Sequence, residues 1–221
     1  MPRPSCPEDI CNMTLDFLKQ RPIVSITTPV TDTEKILSRW YDIERQGALR
    51  SHPWKFATLR TTLTPNPATP PPFGYAYAFD LPNNYIRMVS IGDDYLGDLK
   101  MDHVIENGQL LTPAGSNGEL ITTTPTIYLR YIYDCLDVSK MDPLFIKFFA
   151  IGQAIDLAPK FAISASLEKD LQAKFMEVDT LARTVNGQDA PVKRIQHSRI
   201  LTKRRGLPGG IFASKYTIFE S

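Results

Sequence analysis

The chain has few of the residues that simple site chemistries need. Its 221 residues include three cysteines, Cys6, Cys11 and Cys135, and three histidines, His52, His103 and His197. Three cysteines cannot all pair within one chain. The sequence opens Met1-Pro2-Arg3-Pro4-Ser5 with no long apolar run behind it, so no secretory leader is expected. No stretch approaches the ~20 apolar residues of a membrane helix. Together these absences predict a protein made in a reducing cytoplasm, with free thiols and no membrane partner. Asn12-Met13-Thr14 fits a glycosylation sequon, which that compartment leaves unused. Net charge is lacking as well. The 25 basic and 24 acidic residues leave +1, which excludes a surface that is basic all round and built for nucleic acid.

Catalytic signatures are also missing. No Gly-rich loop ends in Gly-Lys-Ser/Thr, and there is no Gly-x-Ser-x-Gly elbow and no His-Glu-x-x-His. Cys6 and Cys11 lack a second ligand pair, so zinc is not expected and both read as small buried residues. The histidines fall at a helix end, on a strand and in a basic C-terminal stretch. Asp93-Asp94 reads as a solvated turn after a strand, in preference to half of a metal site. Tyr75, Tyr77 and Phe79 could stack on bases, but no basic residue interleaves with them, which favours sheet core. The expectation is therefore no catalytic residue, no cofactor and no metal.

What is present divides the chain by periodicity. A first helix is expected from Pro7 to Gln20, with Ser5 and Glu8 at capping-box spacing and Ile10, Met13, Phe17 and Leu18 on one face. A second starts at Thr31, with Glu34 reaching back to the cap. Its stripe is Ile36, Leu37, Trp40, Tyr41, Ala48 and Leu49, and His52-Pro53 closes it. From Trp54 to Tyr133 the pattern is β, with six or seven strands. Phe73 to Leu81 alternates, Tyr85 to Ile91 follows, and Asn107-Gly108 marks a hairpin between Met101–Glu106 and Gln109–Thr112. Glu119–Thr124 and Thr126–Tyr133 complete the set, while Thr64–Pro72 reads as a stiff exposed loop.

Asp142-Pro143 opens a third helix, where Leu144, Phe145, Phe148, Phe149, Ile151, Ile155 and Leu157 leave little polar face. Such a helix belongs in the middle of a bundle. Ser164 or Ser166 caps a fourth, with Leu167, Leu171, Phe175, Val178, Leu181, Ala182 and Val185 as its stripe and Asn186-Gly187 as its stop. The fold class expected is α+β. Residues 1–52 and 139–189 form a four-helix bundle from both chain ends, 53–138 form a β-rich insertion, and 190–221 form an extended basic C-terminal arm.

The arm carries the functional expectation. Lys193, Arg194, Arg199, Lys203, Arg204, Arg205 and Lys215 occur with no acidic residue between Pro191 and Lys215. It could be a solvated tail, a contact for DNA phosphates or a docking segment for an acidic protein surface. Phe212, Tyr216, Ile218 and Phe219 favour protein docking, since a tail meant only for phosphate has no use for them.

The order of segments resembles a known family. Ile10-Cys11-Asn12 with Leu15 leads to a proline and a Ser-x-Thr stretch. A long helix then ends in His52-Pro53-Trp54-Lys55-Phe56-Ala57-Thr58-Leu59-Arg60. Next come Phe73-Gly74-Tyr75 with Tyr77 and Phe79-Asp80-Leu81-Pro82, then Tyr85-Ile86-Arg87 and Ile127-Tyr128-Leu129-Arg130-Tyr131-Ile132. Asp142-Pro143-Leu144-Phe145 and Ala154 with Leu157-Ala158-Pro159 close the series. Seven fragments in this order, over residues 5 to 185, resemble the tail tubular protein A family of short-tailed phages, the head-to-tail connector or adaptor proteins. The resemblance implies a helical bundle with a β-rich insertion and no catalytic residues. It also implies a ring, usually of twelve copies, beneath the portal in the virion tail neck. Its partners would be copies of itself, the portal protein, the tail nozzle protein and the viral DNA passing through the lumen. The ten arm residues Lys193, Arg194, Arg199, Lys203, Arg204, Arg205, Phe212, Tyr216, Ile218 and Phe219 are assigned to docking from charge and composition, and the resemblance implies the portal as their partner. The alternative is a nucleic-acid-binding module that uses the same arm.

Overall fold

Local capping chemistry sets where the helices begin. The computed structural model describes residues 4–91, 102–113 and 126–189. In α1 (Pro7–Phe17) the expected Ser5–Glu8 box gives way to Cys6 and Asp9. Pro7 disfavours helical backbone in the residue before it, so Cys6 is extended and becomes the cap. Asp9 Oδ2 accepts the Ser5 and Cys6 N–H groups at 2.8 and 3.2 Å, which holds its carboxyl below the usual range. Glu8, displaced from the cap, accepts Ile26 N–H at 3.3 Å. The helix stops at Phe17, short of Gln20, because Lys19 turns left-handed at φ 56°.

The second helix, α2 (Asp32–Ser51), has the cap that the spacing predicts. Thr31 Oγ1 accepts Glu34 N–H at 3.3 Å, and Glu34 Oε2 accepts Thr31 N–H and Val30 N–H at 2.8 Å each. Glu34 Oε1 also accepts Val24 N–H at 3.2 Å, tying the preceding loop to the helix. With these backbone donors around it the carboxyl is held down to about 2. In α3 (Pro143–Leu157), Asp142 Oδ1 accepts Leu144 N–H at 2.7 Å and proline fills the first turn. Pro159 follows in the 3-10 turn Ala158–Phe161. Ser164 caps α4 (Ala165–Gln188), its Oγ accepting Leu167 N–H at 3.4 Å. The helix runs one residue past Asn186-Gly187, to Gln188.

The core is organised by α3. Phe145, Ile146, Phe148, Phe149, Ala150, Ile151, Ala154 and Leu157 are all buried, so apolar groups leave the helix in every direction. Its neighbours are α1, α2 and α4. Tyr41 of α2 meets Phe149 with ring centroids 5.5 Å apart, and Phe175 of α4 stacks on Phe148 at 5.0 Å. Gly152 allows that close approach, since a Cβ there would lie 3.3 Å from the Phe175 ring. Trp54, in the turn after α2, packs on Phe145 and Phe148 at 5.0 and 5.7 Å and donates its indole N–H to Ala48 O.

Six strands are present among the described residues: β1 (Thr58–Leu63), β2 (Tyr77–Asp80), β3 (Tyr85–Ile91), β4 (Val104–Glu106), β5 (Gln109–Thr112) and β6 (Ile127–Tyr133). They form two antiparallel sheets, ordered β1-β6-β3 and β2-β5-β4. Asn107 and Gly108 join β4 to β5 with φ 48° and 73°, as an Asn-Gly hairpin requires. The alternating run from Phe73 is strand only from Tyr77. Phe73 is 85% exposed, and Ala78 is buried beside Phe79, so the run is not a strict two-residue alternation. Phe79, Leu63, Leu110, Ile127, Leu129 and Tyr131 form a second, smaller core. The central strand β6 serves both cores, because Ile132 near its end enters the helical one. The chain is thus a mixed α+β protein with four helices and two small antiparallel sheets among the described residues.

If α3 is the centre, truncating it is costly. Phe149→Ala should destabilise the protein by roughly 3–5 kcal/mol, whereas exposed Phe73→Ala should change stability by less than about 0.5 kcal/mol. Urea unfolding of both variants checks this, and equal costs would contradict the central placement.

Candidate functional site

The ten arm residues Lys193, Arg194, Arg199, Lys203, Arg204, Arg205, Phe212, Tyr216, Ile218 and Phe219 lie outside the described residues. So do His197, Asp93-Asp94, the strand expected at Glu119–Thr124, and Met101. His103 is described and sits just before β4, not on a strand. The candidate features of the described chain are therefore a groove, a buried carboxyl and a polar junction between helices.

The groove, of about 910 Å³, lies where α1 passes the start of α3 and Lys174 of α4. Met13, Phe17 and Ile146 make it apolar, and Asp16, Lys147 and Lys174 add both signs of charge. Lys174 Nζ lies 4.5 Å from the Phe17 ring centroid, where the π face attracts a cation. The groove follows from the amphipathic pattern of α1: Ile10, Cys11 and Leu15 are buried, while Met13 and Phe17 are left at the margin of that face. Its lining contains no histidine, and the Ser5 hydroxyl that donates to Asp9 Oδ2 at 3.4 Å belongs to the cap of α1. What it offers is a mixed apolar and charged surface.

The buried carboxyl belongs to Glu44 of α2. Both of its oxygens are shielded from solvent and neither has a hydrogen-bond partner. Burial, assisted by the negative charge of Asp156 on α3, pushes it up to about 8, and Lys160 works against that rise. Lys160 is itself placed 4.4 Å from the Trp40 ring centroid. A raised carboxyl suits a general acid, but that role also needs a base and a place for substrate. His52, at the end of α2, is hydrogen-bonded to Asn186 at 2.9 Å.

The polar junction centres on Arg45, which is 2% exposed. Its guanidinium meets Asp134, just past β6, in a short ion pair, and also reaches Asp42 at 2.9 Å and Cys135 O at 3.2 Å. Gln46 donates to the other Asp134 oxygen at 3.1 Å. These bonds fasten α2 to the strand that both cores share. Nearby, Thr14 of α1 donates to Gln153 of α3 at 2.9 Å inside the helical core. Neither group of bonds pairs a nucleophile with a base.

The cysteines and aromatics stand as follows. Cys11 and Cys135 are buried and Cys6 caps α1, and all three are free. Burial pushes the Cys11 thiol up to about 12, which leaves it inert at neutral pH. Phe79 is fully buried and Tyr77 packs against the same core, as the sheet-core reading expects, whereas Tyr75 precedes β2 and is not part of that core. Among the described residues no three His, Cys, Asp or Glu side chains are grouped so as to hold a metal ion. Among the same residues, no helix is long and apolar enough to cross a membrane. No family model matches the chain, and no curated protein matches it.

Neither Glu44 nor Arg45 was singled out from sequence. The one local signal for Glu44 is its place between Tyr41 and Arg45, at the edge of the buried face of α2, while Trp40, read as part of the apolar stripe, is 39% exposed. Its titration gives a test. Between pH 4.5 and about 8 the folded chain keeps a proton on Glu44 that the unfolded chain releases, so stability should fall as pH rises through that window. Glu44→Gln should flatten the fall. It should raise stability at pH 8 by roughly 1–3 kcal/mol, a figure reduced for partial solvent screening, with little change at pH 5. Denaturant unfolding at the two pH values measures it, and a variant matching the parent at both would show a solvated carboxylate.

Proposed function

We propose that the chain is a head-to-tail connector subunit of the tail tubular protein A type, acting by shape and surface in the virion tail neck, with no catalytic residue. The observation that carries this reading is the order of seven sequence fragments, from Ile10-Cys11-Asn12 to Leu157-Ala158-Pro159. In this reading α1 to α4 make a four-helix bundle built from both chain ends. Residues 53–138 are a β-rich insertion, and 190–221 are an extended basic arm whose charged and apolar residues dock on the portal. Copies of the chain close into a ring of about twelve beneath the portal, through heterologous contacts between two different faces. The ring leaves a passage for DNA and presents a platform for the nozzle protein.

Physical support comes from the fold. Helices from before and after the strands share one core around α3, so neither set can leave without exposing it. The proline-rich segment Thr64–Pro72 is largely exposed and its prolines limit its backbone freedom, which suits contact between neighbours. The rival reading, a nucleic-acid-binding module, is favoured by the basic run from Lys193 to Lys215.

Assembly separates the two. Light-scattering mass measurements should find the isolated chain monomeric or weakly associated, and a closed ring once portal is added, because a segment that orders on binding waits for its partner. A stable dimer with and without portal contradicts the connector reading. Salt-sensitive binding to duplex DNA with no affinity for portal supports the rival.

A further inference from the structure

The C-terminal turns of α4 are fastened through one side chain. Asn186 is 9% exposed, and its Oδ1 accepts Lys55 N–H at 2.8 Å. That bond orients the amide, so its Nδ2 is the atom 2.9 Å from His52 Nε2 and 3.3 Å from Pro53 O. An amide nitrogen can only donate, so Nε2 must accept, and the neutral imidazole carries its proton on Nδ1. The ring is further positioned by Trp54, edge-on at 4.9 Å. Apolar burial is thin at this end of α4. Ala182 is its last buried apolar residue and Leu181 is 49% exposed, so the Asn186 bonds carry much of the attachment.

We propose that His52 and Asn186 form an acid-sensitive latch that ties the last turns of α4 to the turn following α2. A proton on Nε2 would set an N–H against an NH₂, replacing a hydrogen bond with repulsion. The amide cannot rotate to escape, because its oxygen would leave the Lys55 N–H unpaired. The charged surroundings lean the same way. Arg183 of α4, Arg87 of β3 and Lys55 in the turn oppose a charged imidazole, and only Asp179 of α4 favours one. Asp179 is already engaged by Arg183 at 2.6 Å. Burial is the largest influence, and all of these together hold His52 below its ordinary 6.5. The folded chain therefore resists a proton that the unfolded chain accepts. The latch is fully present above pH 6.5 and is lost as pH falls below it.

The test uses the full chain and two variants. Ring-proton NMR titration, with His52 assigned by its absence in His52→Gln, should place its midpoint below 6.5. Hydrogen exchange, corrected for intrinsic rates, should show severalfold loss of protection at Lys55 and over residues 180–189 in step with that midpoint. In His52→Gln, which keeps a side-chain acceptor that does not titrate, the step should disappear. Asn186→Asp should reverse the sign. Its carboxylate can accept from both Lys55 N–H and a protonated His52, so the midpoint should move above 6.5 and acid should no longer loosen α4. The proposal is overturned by a wild-type midpoint at or above 6.5, by unchanged protection as His52 protonates, or by a midpoint in Asn186→Asp no higher than in the parent.

Discussion

A helix with nine of its 15 residues buried cannot lie on a surface, and α3 is such a helix. Its phenylalanines point to different neighbours: Phe149 towards Tyr41, Phe148 towards Phe175, and Phe145 towards Trp54 and Phe56. These contacts draw α2, α4 and the turn after α2 onto one helix, and α1 joins them through other contacts, among them the Thr14–Gln153 hydrogen bond. The sheet region inherits its position from the same requirement. Ala57, just before β1, and Ile132, near the end of β6, are buried in that core, and the Arg45–Asp134 pair fastens the junction. Removing one member of such a pair strands a buried charge, so it also constrains which arrangements of α2 and β6 are tolerated.

Polar groups of one kind reach opposite states on this scaffold. Glu34 and Glu44 are both carboxylates on α2. Backbone donors surround Glu34 and keep it charged, whereas Glu44 has neither donor nor solvent at its oxygens and is pushed towards its neutral form. The difference is one of position relative to the helix N-terminus, where free N–H groups accumulate. His52 shows the same dependence, its state being set by an amide that Lys55 orients from outside the helix.

Features governed by short-range rules were legible in the sequence. Thr31 with Glu34, Asp142 with Pro143, Ser164 and Asn107-Gly108 all appear as their spacing predicts, because each acts on backbone within a few residues. The buried character of α3 was equally plain, since no arrangement of its residues yields a polar face. Failures came where a neighbour overrode the local signal. Pro7 moved the first cap from Ser5 to Cys6, and Lys55, 131 residues before Asn186, takes up the side chain of a residue read only as a helix stop. The environment of Glu44 depends on Asp156 and Lys160, which no spacing rule connects to it. The arm residues are a different case, being read from composition and lying outside the described residues.

As a connector, the chain would turn this rigidity to use: a core closed around α3 presents fixed surfaces, and fixed surfaces are what a closed ring of identical subunits needs. Single-particle imaging of portal rings incubated with the chain tests that claim most directly. The account predicts added density as a closed ring on one face of the portal, one chain per repeat, into which α3 and the three helices around it can be fitted. Portal rings that remain bare at saturating chain would contradict it.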